Sequence, residues 1–153
     1  MTLEELKSDP DLTPEKFASY FSDFQFSLLE KVQPPEVFLS TKTGDCDDYA
    51  TLAADLLRER GYTAKLVAVF MPRDIHVVCY VAETRSYLDF NKRAAAAKLE
   101  PSSGALEDIA EKVAASFGQP WRCASEFTFR NGVRQFVVTD FPQAAPREIA
   151  AAP

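Results

Sequence analysis

The run from Cys46 to Arg60 carries Tyr49, Ala50, Leu52, Ala53, Ala54, Leu56 and Leu57, and it closes on Gly61. An apolar face that wide cannot be left against water, so the helix predicted here must be wrapped by other elements on most of its sides. Gly61 is the C-terminal stop. The elements available for wrapping follow it. Tyr62 to Phe70, Ile75 to Ala82 and Ser86 to Asn91 are rich in β-branched and aromatic residues and read as strands, the first two joined by Met71-Pro72-Arg73-Asp74. Ala105 to Phe117 reads as a short helix. The alternation from Glu126 to Asp140, broken by Asn131-Gly132, reads as a hairpin. A buried helix packed on a mostly antiparallel sheet, with one late helix, is an α+β domain.

Upstream, Thr13, Pro14 and Glu15 suit an N-cap, a first helical position and a first-turn acid. Phe17, Tyr20, Phe21, Phe24, Leu28 and Leu29 recur at spacings of three and four, which predicts one helix from Pro14 to about Val32 that Gln33-Pro34-Pro35 stops. Glu36 to Lys42 is expected to be extended, and Ala94 to Ser103 to be a surface connection. A chain of 153 residues suits one domain. We assign residues 1–141 to it and read the Ala/Pro-rich Pro142 to Pro153 as a flexible tail.

The formal net charge is −6 and Lys and Arg are not clustered, which argues against nucleic-acid binding. No apolar run approaches the roughly 18 residues of a membrane span. Met1 to Asp11 shows neither a basic nor an apolar leader region, so a cytoplasmic location is expected. The three cysteines, Cys46, Cys79 and Cys123, are odd in number and unpatterned, as suits free thiols.

Cys46 stands at the start of the buried helix, where unpaired backbone N–H groups and the helix dipole favour an anion. Such a position makes a thiolate available, and the same N–H groups can hold an oxyanion. His76 is the one histidine in the chain, so it is the one imidazole base that the domain can offer. Asp89 lies among apolar neighbours in Tyr87-Leu88-Asp89-Phe90-Asn91 and needs a partner if buried. With Val81 to Thr84 as the turn, Tyr80 faces Arg85 and the ladder continues until His76 faces Asp89. A carboxylate there can hold the imidazole tautomer.

Gly44-Asp45-Cys46-Asp47-Asp48-Tyr49-Ala50, the Leu-rich helix, Gly61, a Val-rich strand, His76 opening the next strand and Leu88-Asp89 together resemble the transglutaminase-like superfamily. The acid-flanked cysteine is similar to that of bacterial transglutaminase-like cysteine peptidases. The likeness covers about Thr41 to Asn91. It implies a papain-like thiol fold in which Cys46 is the nucleophile, His76 the general base and Asp89 its orienter. It also implies acyl transfer on a peptide or protein substrate with no required cofactor. Hydrolysis is favoured and transamidation stays open, as does a catalytically idle binding module. The resemblance allows a calcium ion at Asp45, Asp47 and Asp48, although acids in a first helical turn need no metal to explain them.

Related enzymes often place a Gln, Trp or Tyr upstream of the nucleophile as an oxyanion donor. Val37-Phe38-Leu39-Ser40 offers only Phe38, which cannot donate, and leaves the Cys46 backbone N–H, Ser40 or Trp121 for that role. A zinc site drawn from Cys46, His76, Cys79, Asp89 and Cys123 is disfavoured, because His76 and Cys79 are three apart on a strand and point to opposite faces.

Overall fold

The structure, a computed structural model, describes residues 1–143. It opens with helices α1 (Leu3–Ser8) and α2 (Pro14–Ser19), a short strand β1 (Gln25–Phe26), helix α3 (Pro35–Thr41) and strand β2 (Thr43–Gly44). Helix α4 (Cys46–Glu59) follows, then strands β3 (Ala64–Phe70), β4 (Ile75–Val81), β5 (Ser86–Leu88) and β6 (Leu99–Pro101), helix α5 (Leu106–Phe117) and the hairpin β7 (Cys123–Arg130) and β8 (Val133–Asp140). The six longer-range strands form one sheet in the order β6-β5-β4-β3-β7-β8, and every neighbouring pair is antiparallel. With helices on both faces, this is the expected α+β architecture.

Alternation along β3 and β4 divides the core in two. Leu66, Ala68, Val77, Cys79 and Val81 pack under α4, in a cluster with Tyr49, Ala53 and Leu57. Val67, Val69, Val78 and Tyr80 face the other way, against Ile109 and Val113 of α5. The nucleophile-bearing helix is buried as its composition demands: Ala50, Ala53, Ala54 and Leu57 are inaccessible to solvent. Gly61 takes φ +88° just past its end, and Asn131 and Gly132 take φ 53° and 77° in the hairpin turn, the left-handed pair that a two-residue reversal requires.

The N-terminal third departs from the pattern. The helix expected from Pro14 to Val32 ends at Ser19. Phe21 and Phe24 are then carried inward by tight turns, with Phe21 N–H on Ala18 O and Phe24 N–H on Phe21 O. Their spacing of three served a run of turns as well as it would a helix. Phe17, Phe21 and Phe24 are all buried, whereas Leu28 is 80% exposed, so only the front of the apolar stripe belongs to the core. Pro34 and Pro35 open a helix where a stop was expected. Pro35 has no N–H to lose in the first turn, and α3 occupies the stretch expected to be extended. A capping box between Thr2 and Glu5 builds α1. The connection at 94–103 contributes β6 to the sheet edge. Residues 144–153 of the proposed tail lie outside the described residues. Among the described residues, no helix is long and apolar enough to cross a membrane.

Candidate active site

Cys46 is the first residue of α4, and Asp45 is its N-cap. Asp45 Oδ1 accepts the N–H groups of Asp47 and Asp48, at 3.1 and 3.4 Å, and Asp48 Oδ2 accepts the Asp45 N–H at 3.0 Å. This reciprocal box uses three donors at the helix start and leaves the Cys46 N–H outside it. The same two carboxylates also lash the preceding loop to the helix. Asp45 Oδ2 accepts from Leu29 N–H at 3.0 Å, and Asp48 accepts from the Gln33 backbone at 2.6 Å and from its side-chain amide at 3.0 Å. Gly44 must be glycine for space: an added Cβ would lie 2.6 Å from Asp48 Oδ2 and 2.7 Å from the Phe38 ring.

The structure brings Cys46, His76 and Asp89 together. His76 opens β4 almost wholly buried, 3% exposed, and its Nε2 meets Asp89 Oδ1 at 2.7 Å. That bond occupies Nε2 and leaves Nδ1 for the nearby Cys46 thiol, which also favours the charged ring. Burial of the ring opposes its charge. The Asp89 hydrogen bond and the Cys46 thiol outweigh burial and raise the His76 pKa to about 10. Phe117, at the end of α5, packs on the imidazole with ring centroids 5.0 Å apart. Nearby, the Gln119 side chain accepts from Arg73 N–H at 3.0 Å and donates to Asp74 at 2.5 Å, fixing the loop that leads into β4.

The pairing differs from the expected register by two residues. The reversal occupies Ala82 to Arg85, with Arg85 at φ 46°, and Val81 faces Ser86. Glu83 anchors it through both the Thr63 N–H and hydroxyl, at 2.7 and 2.8 Å. Continued past Leu88, this register sets Asp89 across from Val78, diagonal to His76 on the same face. The strand breaks at that point. Asp89 caps a 3-10 turn over Phe90–Lys92 by accepting the Asn91 N–H at 2.9 Å, and the cap turns its Oδ1 to His76. Asp89 Oδ2 is buried and meets no donor among the described residues.

Two residues expected near the thiol lie elsewhere. Ser40 is exposed on α3 and donates to Val37 O of its own helix. Trp121 packs with Met71, Leu106 and Val113 in the cluster beneath α5. Neither hydrogen-bonds to Cys46, His76 or Asp89 among the described residues. The buried side chain of Phe38 fills the space against Phe21, Phe24 and Phe90.

Asp45, Asp47 and Asp48 do not form a calcium cage. Calcium takes six to eight oxygens. Asp45 and Asp48 already direct theirs at N–H groups, and Asp47 Oδ1 accepts from Arg134 at 2.6 Å. Among the described residues, no group of three or more acidic, cysteine or histidine side chains is arranged to hold a metal. Burial raises the Asp45 pKa against the pull of the Leu29 N–H. It raises that of Asp47 against the pull of Arg134.

Arg134 gave no local signal in the sequence, because it reaches the residue after the thiol from 87 positions away. It borders an open groove of about 1000 Å³. Asp47, Thr51, Asp55 and Arg58, at helical spacing along α4, line one side of it, and Phe129 lines the other.

An α+β fold with a thiol at the start of a buried helix and a buried His–Asp pair on the sheet is the arrangement that the sequence resemblance implies. The chain belongs to the transglutaminase-like superfamily, whose profile matches residues 7–100. Two solved structures of Legionella pneumophila LapG resemble its fold. The calcium-bound one is 21% identical with a TM-score of 0.46, covering 64% of this chain and 66% of that one. The other is 17% identical with a TM-score of 0.47, covering 75% and 80%. The chain thus spans about two thirds of the length of the calcium-bound structure. No curated protein matches it.

Proposed function

We propose that this protein is a thiol-dependent acyl-transfer enzyme that hydrolyses peptide or amide bonds through Cys46, His76 and Asp89. The observation that carries this reading is the 2.7 Å bond from His76 Nε2 to Asp89, on a buried ring whose charged form the nearby Cys46 thiol also favours. The raised His76 pKa keeps the proton on the imidazole at neutral pH, which favours an ion pair with the Cys46 thiolate.

The thiolate attacks the amide carbonyl carbon, and the carbonyl oxygen takes the electron pair. The Cys46 N–H, left outside the capping box, holds that oxyanion. When the C–N bond breaks, His76 gives its proton to the departing amine and a thioester remains. Water then attacks the thioester, His76 takes a proton from it, and the C–S bond breaks to release the carboxylic acid and restore the thiolate–imidazolium pair. An amine in place of water completes transamidation. Asp89 acts by holding Nε2 and balancing the imidazolium. The groove along α4 suits an extended peptide or protein chain, and supports that class of substrate.

An activated ester tests the reading without a known substrate. p-Nitrophenyl acetate should acetylate Cys46 in a burst, visible as a mass increase on its peptide, and then turn over slowly. Cys46→Ser should lose the burst. Acetylation distributed equally over Cys46 and Cys123 would contradict it.

A further inference from the structure

In the run Asp45-Cys46-Asp47-Asp48, Asp47 is the acid that serves no backbone group. Asp45 and Asp48 accept the N–H groups of the helix start and of the loop before it. Among the described residues, the Asp47 carboxylate accepts a hydrogen bond only from Arg134, Nη2 to Oδ1 at 2.6 Å. Burial opposes its charge. Arg134 is the main group favouring that charge, and His76 adds to it, so the carboxylate lies within electrostatic reach of the imidazole as well as next to the thiol in the chain.

The cation that meets Asp47 is built into the sheet. Arg134 stands on β8, just past the turn at Asn131-Gly132 and 87 positions from its partner. Its guanidinium lies 5.0 Å over the ring of Phe127, which is wholly buried. The two side chains of the pair are only 29% and 23% exposed, so salt screens them less than an open surface pair. A negative charge one residue from a thiol opposes its ionisation, and a cation held on that charge removes the opposition. The other charged groups around the pair are Asp45 and Asp48 on α4, His76 on β4 with its partner Asp89, and Glu30, Lys31, Asp55 and Arg58 along the groove. They stay in place whether or not Arg134 is there, so the balance beside the thiol turns on Arg134.

We propose that Arg134 is a positioning residue for the thiol chemistry, standing where a bound metal could otherwise serve: by holding and neutralising Asp47 it lets the Cys46 thiolate form without calcium. The proposal rests on Cys46 being the reactive thiol.

The test is iodoacetamide labelling of Cys46 from about pH 4 to 9, read by peptide mass spectrometry, in native protein, Arg134→Gln, Arg134→Lys, Asp47→Asn and the double variant Asp47→Asn/Arg134→Gln. Arg134→Gln leaves Asp47 unbalanced and should raise the pH of half-maximal labelling by about one unit, which is about tenfold in rate on the rising limb. Arg134→Lys keeps the charge and should stay closer to native. Asp47→Asn should shift the midpoint downward, and the double variant, which removes both charges, should return it towards the native value. Calcium chloride and EGTA should change neither the native labelling rate nor the melting temperature.

An unmoved midpoint in Arg134→Gln, with Cys46 still the fast cysteine, overturns the role of Arg134 alone. Shifts in the same direction for Arg134→Gln and Asp47→Asn do so too, because a merely structural pair would behave that way. If Arg134→Gln does not fold, the absence of a downward shift in Asp47→Asn overturns the proposal by itself. A native labelling rate or melting temperature that rises with calcium gives the acids to a metal and overturns it as well. Labelling of Cys46 no faster than Cys123 in native protein overturns the thiol reading and this proposal with it.

Discussion

Asp89→Ala should lower the unfolding free energy by about 3–5 kcal/mol near pH 6, because it leaves the His76 ring buried without its counter-charge. Asp89 is 2% exposed and His76 3%, so solvent cannot replace the lost bond. The loss should depend on pH in a defined direction. The His76 pKa is raised from 6.5 to about 10 in the fold, against burial, chiefly by Asp89 and then Cys46. A raised pKa adds stability that is fully present below the unfolded value and disappears as pH rises through the folded one. The gap between native protein and Asp89→Ala in urea melts should therefore be widest below about pH 6.5 and narrow towards pH 10. A smaller gap remains there, since a neutral imidazole still donates to the carboxylate. A gap independent of pH from 6 to 10 would contradict the charged pair.

His76→Ala should slow acetylation of Cys46 by p-nitrophenyl acetate by about a hundredfold or more at pH 6. Without the imidazole, the proton stays on sulfur at that pH. The deficit should shrink above about pH 8.5, where an ordinary thiol ionises unaided. His76→Gln preserves much of the ring's bulk against Phe117 but cannot carry the proton, so it should behave like alanine in rate and stay closer to native in stability. Equal burst rates for native protein and His76→Ala at pH 6 would remove His76 from the chemistry.

The parts of this fold that were legible from sequence are those fixed by neighbours in the chain. Asp45, the apolar run after Cys46 and Gly61 mark the ends and face of α4, and Asn131-Gly132 marks its hairpin without help from elsewhere. Pro34-Pro35 was ambiguous, since proline both ends one helix and begins another, and only the packing of Phe38 and Leu39 under α3 decides between them. The spacing of Phe17, Phe21 and Phe24 correctly marked core residues while misassigning their backbone, because tight turns also bring every third or fourth residue inward.

The site divides in the same way. Cys46, His76 and Asp89 were visible from order and residue type, but the register joining the last two was off by two positions, since turn length depends on Glu83 reaching across to Thr63. The 3-10 cap that returns Asp89 to the imidazole compensates for that shift. Arg134, Phe117 and the Leu29 and Gln33 tethers come from distant segments and have no local sequence signal. The acids around Cys46 read in the sequence as first-turn acids or as calcium ligands. In the fold, Asp45 and Asp48 serve the backbone of the helix start and its loop, while Asp47 is neutralised by Arg134.

The central claim, a thiolate held ready by a buried imidazolium, is tested most directly by the second-order rate of iodoacetamide alkylation at each cysteine between pH 5 and 9. Cys46 should react at a nearly constant rate from about pH 6 to 8 and more than about tenfold faster than Cys123 at pH 6, while the fully buried Cys79 stays unmodified. A Cys46 rate that instead rises about tenfold per pH unit up to about pH 8.5, in step with Cys123, would contradict it.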